Sequence, residues 1–280
     1  MKQHFTHLLF ILPVLLGSCK KNDEIDQKNA LTLQDYHIAT ATLEVEYFIN
    51  ELEFVARTIK TAYPNQPGIL QGSTITQGVT NEGKTKYDIL FNNLTGTDNK
   101  KRNGKLTVVF EDALENGSTV TGKHLHVRSD DENNLYSVEG IKFKGSLIFS
   151  NIATAKGSTT VPISHLNAQS FILKPNSDEI RFSSLRKSYW ISGSNTADIN
   201  DDIFDINEQD YSIDLIQSGT TSFADVSTST KLTLSYACSA SPFFARKGNM
   251  LIEHFTGKSM YLLMGNGNCS DMPNILLKPE

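Results

Sequence analysis

The chain has 280 residues, a formal net charge of −5 and a sequence pI of about 5.8. Lys100-Lys101-Arg102 is one short basic cluster flanked by Asp98 and Asn103, so no broad positive surface is offered to a phosphate backbone and no nucleic-acid partner is expected. A single long apolar run occurs, at the N-terminus, and it is too short to cross a bilayer as a helix.

Lys2, His4 and His7 precede that run, which covers residues 8–16 and is interrupted by Pro13. Leu16-Gly17-Ser18-Cys19 follows, then Lys20-Lys21-Asn22-Asp23-Glu24. A basic start, a short apolar core and small residues before a cut site make a secretory signal. With a cysteine directly after the small residues, the segment resembles a bacterial lipoprotein signal and its lipobox. Gly17 departs mildly from that pattern, which more often has Ala, Ser or Thr there. The resemblance implies removal of residues 1–18, a diacylglycerol thioether on Cys19 and acylation of the new amine. Two or three acyl chains hold a protein durably at a membrane. Lys20, in place of an Asp after the cysteine, implies passage to the outer membrane. Lys21-Asn22-Asp23-Glu24 resembles the acidic export tag of Bacteroidetes-type surface lipoproteins. The expected location is therefore the outer membrane and the cell surface, with the periplasmic face as the alternative. An ordinary cleaved signal with an incidental cysteine is the plainer reading, and residues 19–30 read as a tether.

With lipid on Cys19, two cysteines remain, Cys238 and Cys269. An even pair in an oxidising compartment reads as a disulfide. Neither has a C-x-x-C partner, so metal or thiol chemistry is disfavoured, although His254 lies between them in sequence.

Residues 31–63 read as the helical segment, with the helix itself over 32–61. Leu33, Tyr36, Ala39, Leu43, Phe48, Leu52, Val55 and Ile59 recur at helical spacing, Thr32 can cap the start and Tyr63-Pro64 ends it. Glu44, Glu46, Glu51 and Glu53 dominate its polar face, where a membrane-lying helix would carry Lys and Arg. Packing of the apolar stripe on a sheet is expected.

Residues 64–280 read as a β-rich domain. Gly, Ser, Thr and Asn punctuate short runs of Val, Ile, Phe and Tyr. Candidate strands are 87–91, 105–111, 123–128, 140–150, 161–173, 179–183, 188–192, 210–217, 231–238, 249–255, 259–264 and 274–278. The expected fold is mainly β: one long N-terminal helix packed against extended antiparallel β structure, either a sandwich or a long meander. Asn103-Gly104-Lys105-Leu106 and Lys247-Gly248-Asn249-Met250 echo each other. Two related β halves or a shared hairpin grammar would explain the echo equally well.

Four segments of the β region resemble a family of uncharacterised Bacteroidetes lipoproteins. They are Tyr87-Asp88-Ile89-Leu90-Phe91, then residues 99–106, then Leu185-Arg186-Lys187-Ser188-Tyr189-Trp190 with Asp201-Asp202 behind it, and last Cys238 and Gly248 with Gly265-Asn266-Gly267-Asn268-Cys269. Ser270-Asp271 departs by one inserted position from the family's G-x-G-x-C-D pattern. The resemblance implies a lipid-anchored β protein with a paired C-terminal disulfide, and brings no activity with it.

Local chemistry is sparse. His124 and His126 stand at i and i+2, which on a strand points both imidazoles to one face, and a metal there would need His165, Asp130 or Asp131 as a third ligand. Two exposed strand histidines are the bland alternative. Asp198, Asp201, Asp202 and Asp205 sit in an oxygen-rich stretch that suits calcium by composition, although it fails as an EF-hand because Ile203 holds the glycine position. A solvated acidic loop is the alternative, and no other cofactor is implied. Trp190 with Tyr189 is a candidate sugar platform or simply core. No hydrolase elbow, zincin, P-loop or dinucleotide motif is present. The chain reads as a non-enzymatic, structural, adhesive or ligand-binding surface lipoprotein with a glycan or protein ligand. A polysaccharide-binding or polysaccharide-degrading component is the alternative.

Overall fold

Why one helix stays buried along most of its length is the organising question of this fold. The computed structural model describes residues 30–62, 68–111, 124–152, 160–196, 198–240 and 243–279. The signal, Cys19, the tether up to residue 29 and the Tyr63-Pro64 stop lie outside the described residues.

The helix α1 spans Leu33–Ala62. Thr32 opens it with a reciprocal cap: its Oγ1 accepts from the Asp35 N–H at 3.2 Å, and Asp35 Oδ2 accepts from the Thr32 N–H at 2.7 Å. From Ile38 onward nearly every described side chain is buried, on the polar face as well as the apolar one.

The strands are β1 (Thr74–Val79), β2 (Thr85–Thr95), β3 (Lys101–Glu111), β4 (His124–Ser129), β5 (Ser137–Val138), β6 (Ile141–Ser150), β7 (Ile163–Leu173), β8 (Glu179–Ser192), β9 (Ile203–Gln217), β10 (Thr220–Ser235), β11 (Lys247–His254), β12 (Met260–Asn266) and β13 (Asn274–Leu277). They form one antiparallel meander in chain order, with β5 a short offshoot paired to β3 and β6. Of the two expected architectures, this is the meander.

Contacts from α1 reach β4, β6, β9, β10 and β11, strands widely separated in the sheet order. A flat sheet cannot place all of them beside one helix, so the sheet curls around α1. Its two ends, β1 and β13, are not paired to each other. Along β8, burial alternates so that Ile180, Phe182, Ser184, Arg186, Ser188 and Trp190 face inward. Phe48 stacks on Phe143 of β6, and Phe54 meets Tyr236 and Phe243 edge-on.

Two glycines set bulges in this sheet. Gly104 in β3 has φ +87°, and a Cβ there would lie 2.0 Å from the Leu135 carbonyl oxygen. Gly248 in β11 has φ +96°, with the Lys231 carbonyl oxygen at 2.1 Å from the same point. The echo between the two sequences is thus matched by one local geometry, a left-handed glycine under a neighbouring backbone.

Cys238 and Cys269 form a disulfide between the 3-10 turn Tyr236–Cys238 that follows β10 and the loop joining β12 to β13. On the chain-entropy model a loop of this length contributes about 3–4 kcal/mol. Reduction is expected to lower the urea unfolding free energy by roughly that amount, measured with and without dithiothreitol.

Candidate functional site: a charged spine inside the sheet

The carboxylates of α1 point into the curl of the sheet and meet basic residues from the inward positions of the strands. Glu51 is fully buried. It accepts from Arg102 Nε at 2.8 Å and from the Tyr136 hydroxyl at 2.9 Å, and Lys100 Nζ stands 3.6 Å from its second oxygen. Arg102 is fully buried as well, and also donates to Asp98 at 2.8 and 2.6 Å. Two residues along the helix, Glu53 accepts from Arg57, one turn further on, at 2.9 and 2.7 Å. Arg186 of β8 donates to Asn50 at 2.8 Å and to Glu53 at 3.1 Å, with Glu46 at 3.8 Å. The Tyr211 hydroxyl donates to Glu46, and Lys174 to Glu44 at 2.7 Å.

Burial shifts these groups in opposite senses. It pushes the Glu46 carboxyl up, with Arg186 pulling only part of the way back. Burial works against the Arg102 cation too, yet Glu51 and Asp98 hold it well above the ordinary arginine value. For Asp98, burial acts upward, and the Arg102 hydrogen bonds and the nearby Lys100 outweigh it, so its pKa is lowered. Buried ion pairs repay their desolvation poorly as pure stabilisers, and removing one partner leaves an uncompensated buried charge. The spine ties α1 to β3, β8 and β9.

A second polar knot ties the start of the helix. Asp35 Oδ1 lies 2.7 Å from His254 Nδ1 and accepts from the Lys258 N–H at 2.8 Å, and His254 Nε2 lies 3.1 Å from the Thr256 hydroxyl. Carboxylate, imidazole and hydroxyl thus stand in hydrolase order. However, His254 is 3% exposed, and Gly257 packs so tightly over the pair that a Cβ would meet both. The knot is a clasp between α1 and the turn joining β11 to β12. His254 is accordingly engaged with Asp35, and the two cysteines with each other.

The sequence candidates scatter. His124 Nδ1 lies 2.6 Å from the Ser150 hydroxyl. His165 is buried on β7, stacked on Phe149, and its pKa is driven well below normal by burial and by Arg186. Asp130 faces Arg128, and Asp131 accepts from the Asn133 N–H. Among the described residues, no three His, Cys, Asp or Glu side chains are grouped to hold a metal. Asp198 accepts from the Asn200 N–H, Asp201 from Thr196, Asp202 from Trp190 Nε1, and Asp205 from Lys231 and Thr233. Asp205 belongs to β9, so this stretch is not a single acidic loop.

Trp190 is 6% exposed, lies under the Arg57 guanidinium and tilts on Phe204. It is core, which removes it as a sugar platform. Burial lifts the Asp202 beneath it to about 6, against the pull of Arg57 and the Trp190 bond. A carboxyl whose pKa is raised on folding binds its proton more tightly in the native state, so stability falls as pH climbs from the unfolded value near 4 to about 6. Asp202→Asn should flatten that part of the profile, read by urea unfolding at pH 4 and pH 6.5, while keeping an oxygen for Trp190. An unchanged slope would show that Asp202 does not titrate in this window.

One open groove of about 510 Å³ lies on the outer face, lined by Val79, Glu82, Lys86, Val109, His126 and Arg128 among others. Beside it a cross-strand row of Val109, His126, Ile148, Leu166 and Leu185 crosses β3, β4, β6, β7 and β8 in register. Leu166 and Leu185 are about half exposed.

The described fold is an open antiparallel meander curled around a buried, ion-paired helix. No family model matches the chain, and no curated protein or solved structure matches it either.

Proposed function

We propose that this chain is an outer-membrane lipoprotein, anchored through Cys19 and exposed at the cell surface, whose role is structural, adhesive or ligand-binding rather than catalytic. The observation that carries the reading is the cysteine pairing. Cys238 and Cys269 bond to each other, which fits an oxidising compartment and leaves Cys19, directly after Leu16-Gly17-Ser18, as the one cysteine of the chain outside that bond. The filled interior supports a role played by the outer face, where the groove and the apolar row adjoin. Protease treatment of intact cells tests the topology. Cleavage of the protein with periplasmic markers intact is expected, and full protection would overturn surface exposure.

The groove favours a second reading, polysaccharide binding, because it is open and lined by hydrogen-bonding side chains. Binding on a glycan array that is lost on Arg128→Ala would support it. An array without binding would remove it.

A further inference from the structure

We infer that the end of the body where α1 begins rests on the bilayer surface, with Leu33, Phe223 and Phe255 seated among the lipid headgroups. This deepens the anchored reading above and rests on it. Burial of α1 is nearly complete from Ile38 onward, but its first turn emerges: Leu33 is 58% exposed and Tyr36 36%. Phe255 is 67% exposed and Phe223 43%. Three short bonds gather these residues at one end. Gln34 donates to Ser222 at 2.5 Å, Asp35 meets His254 at 2.7 Å, and the Phe255 N–H donates to the Phe223 carbonyl at 3.0 Å. Thr32, Gln34 and Thr256 beside them carry no charge, while Asp214 pairs in register with Phe223 and Asp225 with Glu253. A rim of phenyl, isobutyl and phenol groups with hydroxyls, an amide and these carboxylates suits the interfacial zone of a zwitterionic bilayer, where aromatic rings sit at headgroup level.

The tether argues for the occupant. Cys19 precedes Ala30 by 30 − 19 = 11 residues. A chain of that length reaches at most about 40 Å. An acylated Cys19 therefore keeps this end of the body near the lipid, at an effective concentration where weak insertion suffices. Val79 is 71% exposed but lies on β1, at an edge of the sheet and eight places along the strand order from β10.

The test uses the full acylated protein in phosphatidylcholine vesicles, with Phe255→Trp and Val79→Trp as separate reporters against the fixed background of buried Trp190. Circular dichroism checks that each variant keeps the β fold. With brominated phosphatidylcholine, the indole introduced at 255 is expected to be quenched at least two-fold and blue-shifted, and that at 79 to be unchanged. No quenching at 255 in protein that co-floats with vesicles overturns the inference and leaves the anchor standing. Equal quenching at both positions overturns it too, as does a concentration-dependent blue shift at 255 in detergent without vesicles, which would assign the rim to a second copy. Protein that does not co-float removes the anchor, and the inference with it.

Discussion

Arg102→Leu is expected to destabilise the protein by about 3–5 kcal/mol, because removing one partner of a buried ion pair leaves its counter-charges unpaired. Glu51 is 0% exposed and Asp98 6%, so neither can recover its hydration without opening the sheet around α1. Lys100 cannot compensate, since its ammonium stands 3.6 Å from Glu51 and is itself held below the usual lysine value by burial, despite Glu51 and Asp98. The double variant with Glu51→Leu should regain part of the loss, a coupling that a double-mutant cycle in urea measures. Additive losses would mean that Arg102 and Glu51 do not act as a pair. At acid pH the same cluster weakens. The Asp98 pKa is lowered on folding, so its contribution is complete above the unfolded value near 4 and disappears as pH falls through the lower, folded one.

Gly104→Val is expected to cost about 3–5 kcal/mol, from a left-handed backbone that a β-branched residue resists and from overpacking against a fixed carbonyl. The Leu135 oxygen belongs to backbone that feeds β5, which pairs with both β3 and β6, so it cannot retreat without breaking two ladders. Gly219→Val makes a useful comparison. Gly219 also has positive φ, but a Cβ there meets nothing within 4 Å, so its loss reports the backbone strain alone. Thermal or urea unfolding separates the two, and equal losses would remove the clash from the account.

The positions that misled the sequence reading are the ones that build the spine. Residues 179–183 and 188–192 read as two strands because Arg186 and Lys187 break the apolar alternation, yet β8 runs unbroken from Glu179 to Ser192. Arg186 sits at an inward position and donates through its two terminal nitrogens to Asn50 and Glu53 of α1, more than a hundred residues away. Likewise Glu44, Glu46, Glu51 and Glu53 read as a polar face, whereas the structure buries all four. The available signal was complementary: Arg102 and Arg186 each fall at an inward position of their strand. The acidic run from Asp198 similarly hid the first half of β9, whose Asn207, Glu208 and Asp210 face solvent. β1 lies outside the candidate strands because Thr74–Val79 is a mostly exposed edge strand with little apolar alternation. By contrast, the helix, the disulfide and most strands follow from local pattern, because their partners are near in sequence or dictated by hydrophobic period.

The central claim is the anchor, and the intact mass of the protein extracted from membranes tests it most directly. The account predicts a mature chain beginning at Cys19, heavier than residues 19–280 by a diacylglycerol and an amide-linked acyl chain, and two hydrogens lighter for the Cys238–Cys269 bond. A chain with an unmodified Cys19, or one beginning elsewhere, would contradict it.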